Sequence, residues 1–175
     1  KTEVVVKAEI PESEVERLKA MPTVIYDIES PTLSEIYMLP PIHYPDGKYY
    51  IKMGANTSHD TQPTSLDEIC GWYRAGRSDT MLPAMREAVC SIIPNLHATG
   101  WLTDRCVITR TVHGNPYIDV IEPGQLYIAI GGNGRAAKSS DAIGKLAADL
   151  VVHDAWSDTL DQRAFAAHYA NDTSC

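Results

Sequence analysis

The densest chemical signal in this chain is a glycine-rich turn, Gly131-Gly132-Asn133-Gly134, between the β-rich run Leu126–Ile130 and a helix that opens near Ser139. Glycines let backbone N–H groups approach a ligand closely, and a helix N-terminus carries positive potential toward an anion. Gly132-Asn133-Gly134-Arg135-Ala136-Ala137 satisfies the GxGxxA spacing that holds dinucleotides. A mononucleotide-binding unit also needs a second parallel strand after the helix. Here only Val151-Val152 is β-like before His153-Asp154, so a free-standing NAD site is not expected. A structural turn and a turn that faces a cofactor both stay open. The cysteines Cys70, Cys90, Cys106 and Cys175 form no CxxC pair and have no histidine at ligand spacing, so no metal site is expected. Reduced thiols are the plainer reading, and with them a cytoplasmic location.

The elements around these residues set the fold class. Glu3–Ile10 reads as a strand, and Pro11-Glu12-Ser13-Glu14 as the acidic start of a short helix through Met21. Thr23–Ile28 and Glu35–Leu39 are β-rich, and Pro40-Pro41 is expected to break the chain. Pro45-Asp46-Gly47 is a turn signal, and Lys48–Gly54 reads as the returning strand of a hairpin. The middle is helical, over Ser65–Gly76 and Asp79–Asn95. In the second helix Met81, Met85, Ala88, Val89, Ile92 and Ile93 share one face, Pro83 falls in the first turn and Pro94 ends it. Strands return over Asp104–Val112, Pro116–Val120 and Gln125–Ile130, and a last helix carries Ile143, Leu146, Ala147 and Leu150 on one side. The polar tail holds a weak helix near Gln162–Tyr169. The fold class is α+β: a largely antiparallel sheet flanked by helices, with a terminal strand, glycine-rich turn and helix.

Hydrophobic residues make up 44% of the 175, which excludes wholesale disorder. A net charge of −8 makes nucleic acid and anionic membrane poor partners, and no apolar run reaches the ~18 residues of a span. The chain opens without Met inside a Val-rich strand, as if cut from something longer.

The order of these features resembles the C-terminal, substrate-domain half of the D-amino-acid-oxidase-type flavoproteins, most closely the monomeric sarcosine oxidase group. The residues that carry the resemblance are Lys52-Met53-Gly54-Ala55-Asn56-Thr57, Arg105-Cys106-Val107-Ile108-Thr109-Arg110-Thr111 followed by Tyr117-Ile118-Asp119, Tyr127–Gly134, and Ile143–Leu150. The resemblance spans roughly Glu3–Leu150. It implies a substrate-binding domain over 1–103, returning strands and a helix facing flavin over 104–152, and a tail over 153–175. The family's N-terminal FAD-binding half, with its GxGxxG turn, has no counterpart in this sequence.

Residue by residue, the resemblance implies a catalytic cation at Lys52 that activates oxygen over the flavin, and covalent attachment of FAD through Cys106. It places Gly131, Gly132, Asn133 and Gly134 against the flavin's pyrimidine edge, with Lys138 nearby. It gives Arg135 or Lys138 a substrate carboxylate, and Tyr37 and Asn56 the pocket wall. Read from the residues alone, Lys52 is equally a solvated strand lysine, Cys106 a small buried hydrophobe, and Tyr37 a core aromatic. Asn56 replaces the family's histidine, Ala55 its preceding aromatic, and Ile108 the aromatic after the cysteine, so sarcosine itself is not the expected substrate. The implied function is FAD-dependent oxidation of a C–N bond in an amine or amino acid, with dioxygen as acceptor. Two alternatives remain: a non-catalytic small-molecule binding module using an apolar cavity under the hairpin, and a flavin dehydrogenase passing electrons to another protein.

Overall fold

Residues 1–77 and 79–169 are described by a computed structural model of the chain; Cys175, in the tail, lies outside the described residues. Along Val4-Val5-Val6-Lys7-Ala8-Glu9-Ile10 every even-numbered residue is apolar, which gives a strand one face to bury. This stretch forms β1 (Thr2–Ile10), and around it stand α1 (Glu12–Leu18), β2 (Val24–Tyr26), β3 (Leu33–His43), β4 (Tyr49–Thr57), α2 (Leu66–Arg74), α3 (Leu82–Ile92) and β5 (Gly100–Val107). The strands form one antiparallel sheet in the order β2-β3-β4-β1-β5, so β1 is flanked by β4 and β5. Val4, Val6 and Ala8 share a core with Ile36, Met38, Ile51 and Met53 of the hairpin and with Met85, Ala88 and Val89 of α3. Each large side chain buried there contributes about 1.5–3 kcal/mol. The expected methionine-bearing helical face is therefore core. Pro83 lies in the first turn of α3, as its sequence suggests, and the Ser65 hydroxyl caps α2 by accepting the Glu68 N–H at 3.2 Å.

Two boundaries differ from the sequence reading. Pro40-Pro41 does not break the chain, because β3 runs through it to His43. The register steps from Leu39↔Lys52 to Ile42↔Tyr50, so one extra residue bulges out where the prolines would otherwise leave the ladder without donors. The strand expected over Asp104–Val112 instead spans Gly100–Val107, because its pairing with β1 ends at Thr2↔Val107.

The chain divides into two compact units, Lys1–Val107 and a second that begins at Ile108. In the second, β6 (Tyr117–Glu122) and β7 (Leu126–Ile130) form an antiparallel pair, and α4 (Ser140–His153) follows the glycine-rich turn. Ile118 is buried against Leu146 and Leu150, which lie one turn apart on α4. Among the described residues no strand follows α4, so the GxGxxA match does not lie in a β-α-β nucleotide-binding unit.

Candidate functional site

The alternation that buries Val4, Val6 and Ala8 turns Glu3, Val5, Lys7 and Glu9 to the opposite face of the sheet. Register carries that face across four strands. Leu39, Lys52, Lys7 and Leu102 form one row; Tyr37, Gly54, Val5 and Asp104 form the next; Glu3 stands opposite Cys106 in the third. Three residues singled out in the sequence, Lys52, Tyr37 and Cys106, thus meet on one face although they come from three strands. Two neighbours were not singled out, Glu3 and Lys7. Their signal was the period-two spacing of Glu3, Lys7 and Glu9 within a valine-rich run, but the pairings that give it meaning are not local.

The centre of this face is Tyr37. Its ring lies across β4 over Gly54, where a Cβ would fall 2.3 Å from Cε1 and 2.6 Å from the hydroxyl oxygen. The Lys52 ammonium stands 5.9 Å from the ring centroid, within cation–π range. Glu3, on the same face, is only 4% exposed. Burial pushes the Glu3 carboxyl above the usual carboxylate range, against the pull of Lys1, the Tyr37 hydroxyl and Lys52. Burial first, then the Glu3 charge and the Cys106 thiol, hold the Tyr37 phenol well above its ordinary range, so it stays protonated. Cys106 is half-buried, and its carbonyl accepts the Trp72 indole N–H at 3.1 Å.

The two lysines differ. Lys7 stands directly opposite Lys52, a like-charge pair that is unfavourable unless compensated. Lys7 is compensated by Asp104 at 3.1 Å and by the rings of Tyr44 and Tyr50 at 5.0 and 5.7 Å. Among the described residues no carboxylate forms an ion pair with Lys52. At the end of the face, Asn56 is held by both ends of its amide, accepting from the Lys1 ammonium and donating to Glu35 at 2.6 Å.

In the second unit Gly131, Asn133 and Gly134 all have positive φ, at 75°, 52° and 71°. Asn133 shapes this turn. Its side chain accepts the Thr111 N–H at 2.9 Å and donates to the Gly131 carbonyl at 2.7 Å, while its backbone N–H reaches Thr109 at 3.0 Å. Gly132 is half-buried and its carbonyl accepts from Arg135 and Ala136. Arg135 is exposed, as is Lys138 on the 3-10 turn Ala136–Ser139 that leads into α4.

The apolar side of the hairpin packs into the core with α3. Surface depressions of about 420 and 300 Å³ lie beside Trp101 and beside Lys7 and Leu102–Arg105. Among the described residues no cluster of metal-ligating side chains occurs, and no helix is long and apolar enough to cross a membrane. Comparison with protein-family models, curated proteins and solved structures finds no match.

Proposed function

We propose that this chain is the substrate half of an FAD-dependent oxidoreductase that oxidises the C–N bond of an amine or amino acid, with dioxygen as acceptor. The observation that supports it is the placement of Lys52, Tyr37 and Cys106 on the same face of one sheet. Two features of that face suit a flat, partly apolar ring system. Gly54 has no side chain to stand proud, and the Tyr37 ring lies across it. The cofactor would supply the redox chemistry, accepting a hydride equivalent from the carbon beside nitrogen and delivering electrons to dioxygen, so that peroxide and a hydrolysable imine result.

The chain's own residues do the rest. The ammonium of Lys52 stabilises negative charge that develops on oxygen, which is the electrostatic work a partly dehydrated cation does well. Tyr37 walls the substrate space. The Cys106 thiol is the point of covalent attachment. The reading calls for a dinucleotide-binding segment beyond these residues, working in the cytoplasm.

The test is to add FAD to this chain supplied with such a segment, then an amine or amino acid under air. Protein-bound yellow colour that survives acid precipitation, together with peroxide release, is expected. Tight flavin binding with amine-driven bleaching but no peroxide points to a dehydrogenase, and no flavin binding overturns the proposal.

A further inference from the structure

Beside β5, one cluster of side chains combines a depression, an arginine fixed in place and unmatched positive charge. We propose that the depression of about 300 Å³ lined by Lys7, Tyr73, Arg77, Leu102, Asp104 and Arg105 binds a phosphate monoester, with Arg105 and Arg77 gripping the phosphate. Such a site is independent of the flavin reading and exists without FAD.

The end of α2 builds it. Gly76 follows that helix with a positive φ of 69°, which an L side chain rarely adopts, and its carbonyl accepts from Arg105 Nε. The Arg105 guanidinium also lies 3.9 Å from the centre of the Trp72 ring, so two contacts orient its plane before any ligand arrives. Among the described residues its side-chain hydrogen bonds use Nε alone, and the terminal nitrogens keep their donors for an anion. Arg77 comes next in the chain after Gly76; it is exposed, and among the described residues it makes no ion pair.

Charge selects the ligand. Lys7 and Asp104 line the same depression and neutralise each other at 3.1 Å. Asp79, which accepts the Thr103 hydroxyl at 2.9 Å, is not part of the lining. Two guanidiniums are left over, on a chain whose net charge is −8. A phosphate monoester carries close to two negative charges at neutral pH and three acceptor oxygens, whereas a carboxylate offers one charge and two oxygens. Tyr73 and Leu102 supply wall for the organic part of the ester, and the volume, at the low end of ligand pockets, suits a small one.

Isothermal titration calorimetry of the chain at fixed ionic strength tests the site, with phenyl phosphate as probe and benzoate as its singly charged counterpart. Phenyl phosphate should bind about tenfold more tightly than benzoate. Inorganic phosphate should also bind more weakly, because it makes no use of Tyr73 and Leu102; equal affinity overturns the ester assignment. Arg77→Ala, which breaks no ion pair, should weaken phenyl phosphate about tenfold, and Arg105→Lys, which keeps the charge but loses the stacked fork, by a similar factor. Arg163→Ala, which removes an arginine of the second unit that pairs with Asp161, should change nothing. In the wild type the indole N–H signal of Trp72, assigned by its loss in Trp72→Phe, should shift in nitrogen-15 NMR as phenyl phosphate is added. No binding at millimolar phenyl phosphate, benzoate binding as tightly, or an equal loss in Arg163→Ala and Arg77→Ala overturns the proposal. Binding that leaves the Trp72 signal unmoved places the anion elsewhere and overturns it as well.

Discussion

Tyr37 occupies the volume that a side chain at Gly54 would need: a methyl group there would fall 2.3 Å from Cε1 of the ring. Neither backbone can give way easily, since both strands are inside the five-stranded sheet. Gly54→Ala therefore forces the ring off the face and should cost about 1–3 kcal/mol, the usual scale of overpacking. In a Tyr37→Ala background the same glycine substitution should cost little, because the obstacle is gone. Urea unfolding of the four proteins in that cycle measures the coupling, and additive effects would show that the ring and the glycine do not compete.

The sheet was legible because its signals are local. Alternation in Glu3–Ile10, the Pro45-Asp46-Gly47 turn and the i, i+4 spacing of Met81 and Met85 each specify an element within a few residues. The prolines at 40 and 41 were misleading because a bulge, a property of two strands together, accommodates them. Lys52 and Cys106 were found in the sequence through their neighbours. Glu3 was passed over because its partners, Cys106 on β5 and Tyr37 on β3, come from distant parts of the chain. A buried carboxylate is visible only once strand order is known. Asn133 was seen as part of a binding turn, and its hold on Thr111 is likewise a contact of more than twenty residues' separation.

Lys52→Met should separate the two halves of the proposed reaction. Without the ammonium, reoxidation of the reduced flavin-loaded protein by dioxygen is expected to slow on the order of a hundredfold or more. Anaerobic reduction by amine should remain nearly intact, because the cation acts on oxygen. Stopped-flow absorbance of each half-reaction reads the two rates, and equal slowing of both would assign Lys52 to substrate binding instead.

Asn133→Ala should loosen the glycine-rich turn. The substitution removes an acceptor for the Thr111 N–H and a donor to the Gly131 carbonyl, and it places alanine at a positive φ of 52°. A loss of about 1–3 kcal/mol is expected from the hydrogen bonds and the strained backbone together. Asn133→Gly, which relieves the backbone but not the bonds, should fall between wild type and alanine. Denaturant unfolding followed in the second unit orders the three, and glycine matching wild type would mean that the side chain does not hold the turn.

The hairpin loop has a pH signature. The Tyr50 hydroxyl donates to Asp46 at 2.8 Å, and that carboxylate pushes the phenol up to about 12. The unfolded phenol ionises near 10. A folded value above the unfolded one means a contribution complete below pH ~10 and lost as pH rises toward 12. Asp46 behaves oppositely. The Tyr50 hydroxyl and the Lys48 N–H lower its folded value, so its contribution is present above the ordinary aspartate range and fades in acid. Tyr50→Phe should remove the alkaline loss relative to wild type, as read from urea midpoints between pH 8 and 12 (roughly the span on either side of a free phenol). Identical alkaline curves for the two proteins would show that Tyr50 does not carry the effect.

Glu3 should lower stability at neutral pH. Its folded carboxyl is raised above the unfolded value, so the fold favours the neutral acid and is penalised as pH climbs past the range where an unfolded glutamate ionises, near 4.3. Glu3→Gln keeps the size while removing the buried charge. It should therefore unfold at a higher urea concentration than wild type at pH 7.5, and at the same concentration below pH ~4, where both side chains are neutral. A glutamine protein less stable at pH 7.5 would mean that Lys1, Lys52 and the phenol more than offset the burial of the charge, and that the carboxylate is held there as an ion.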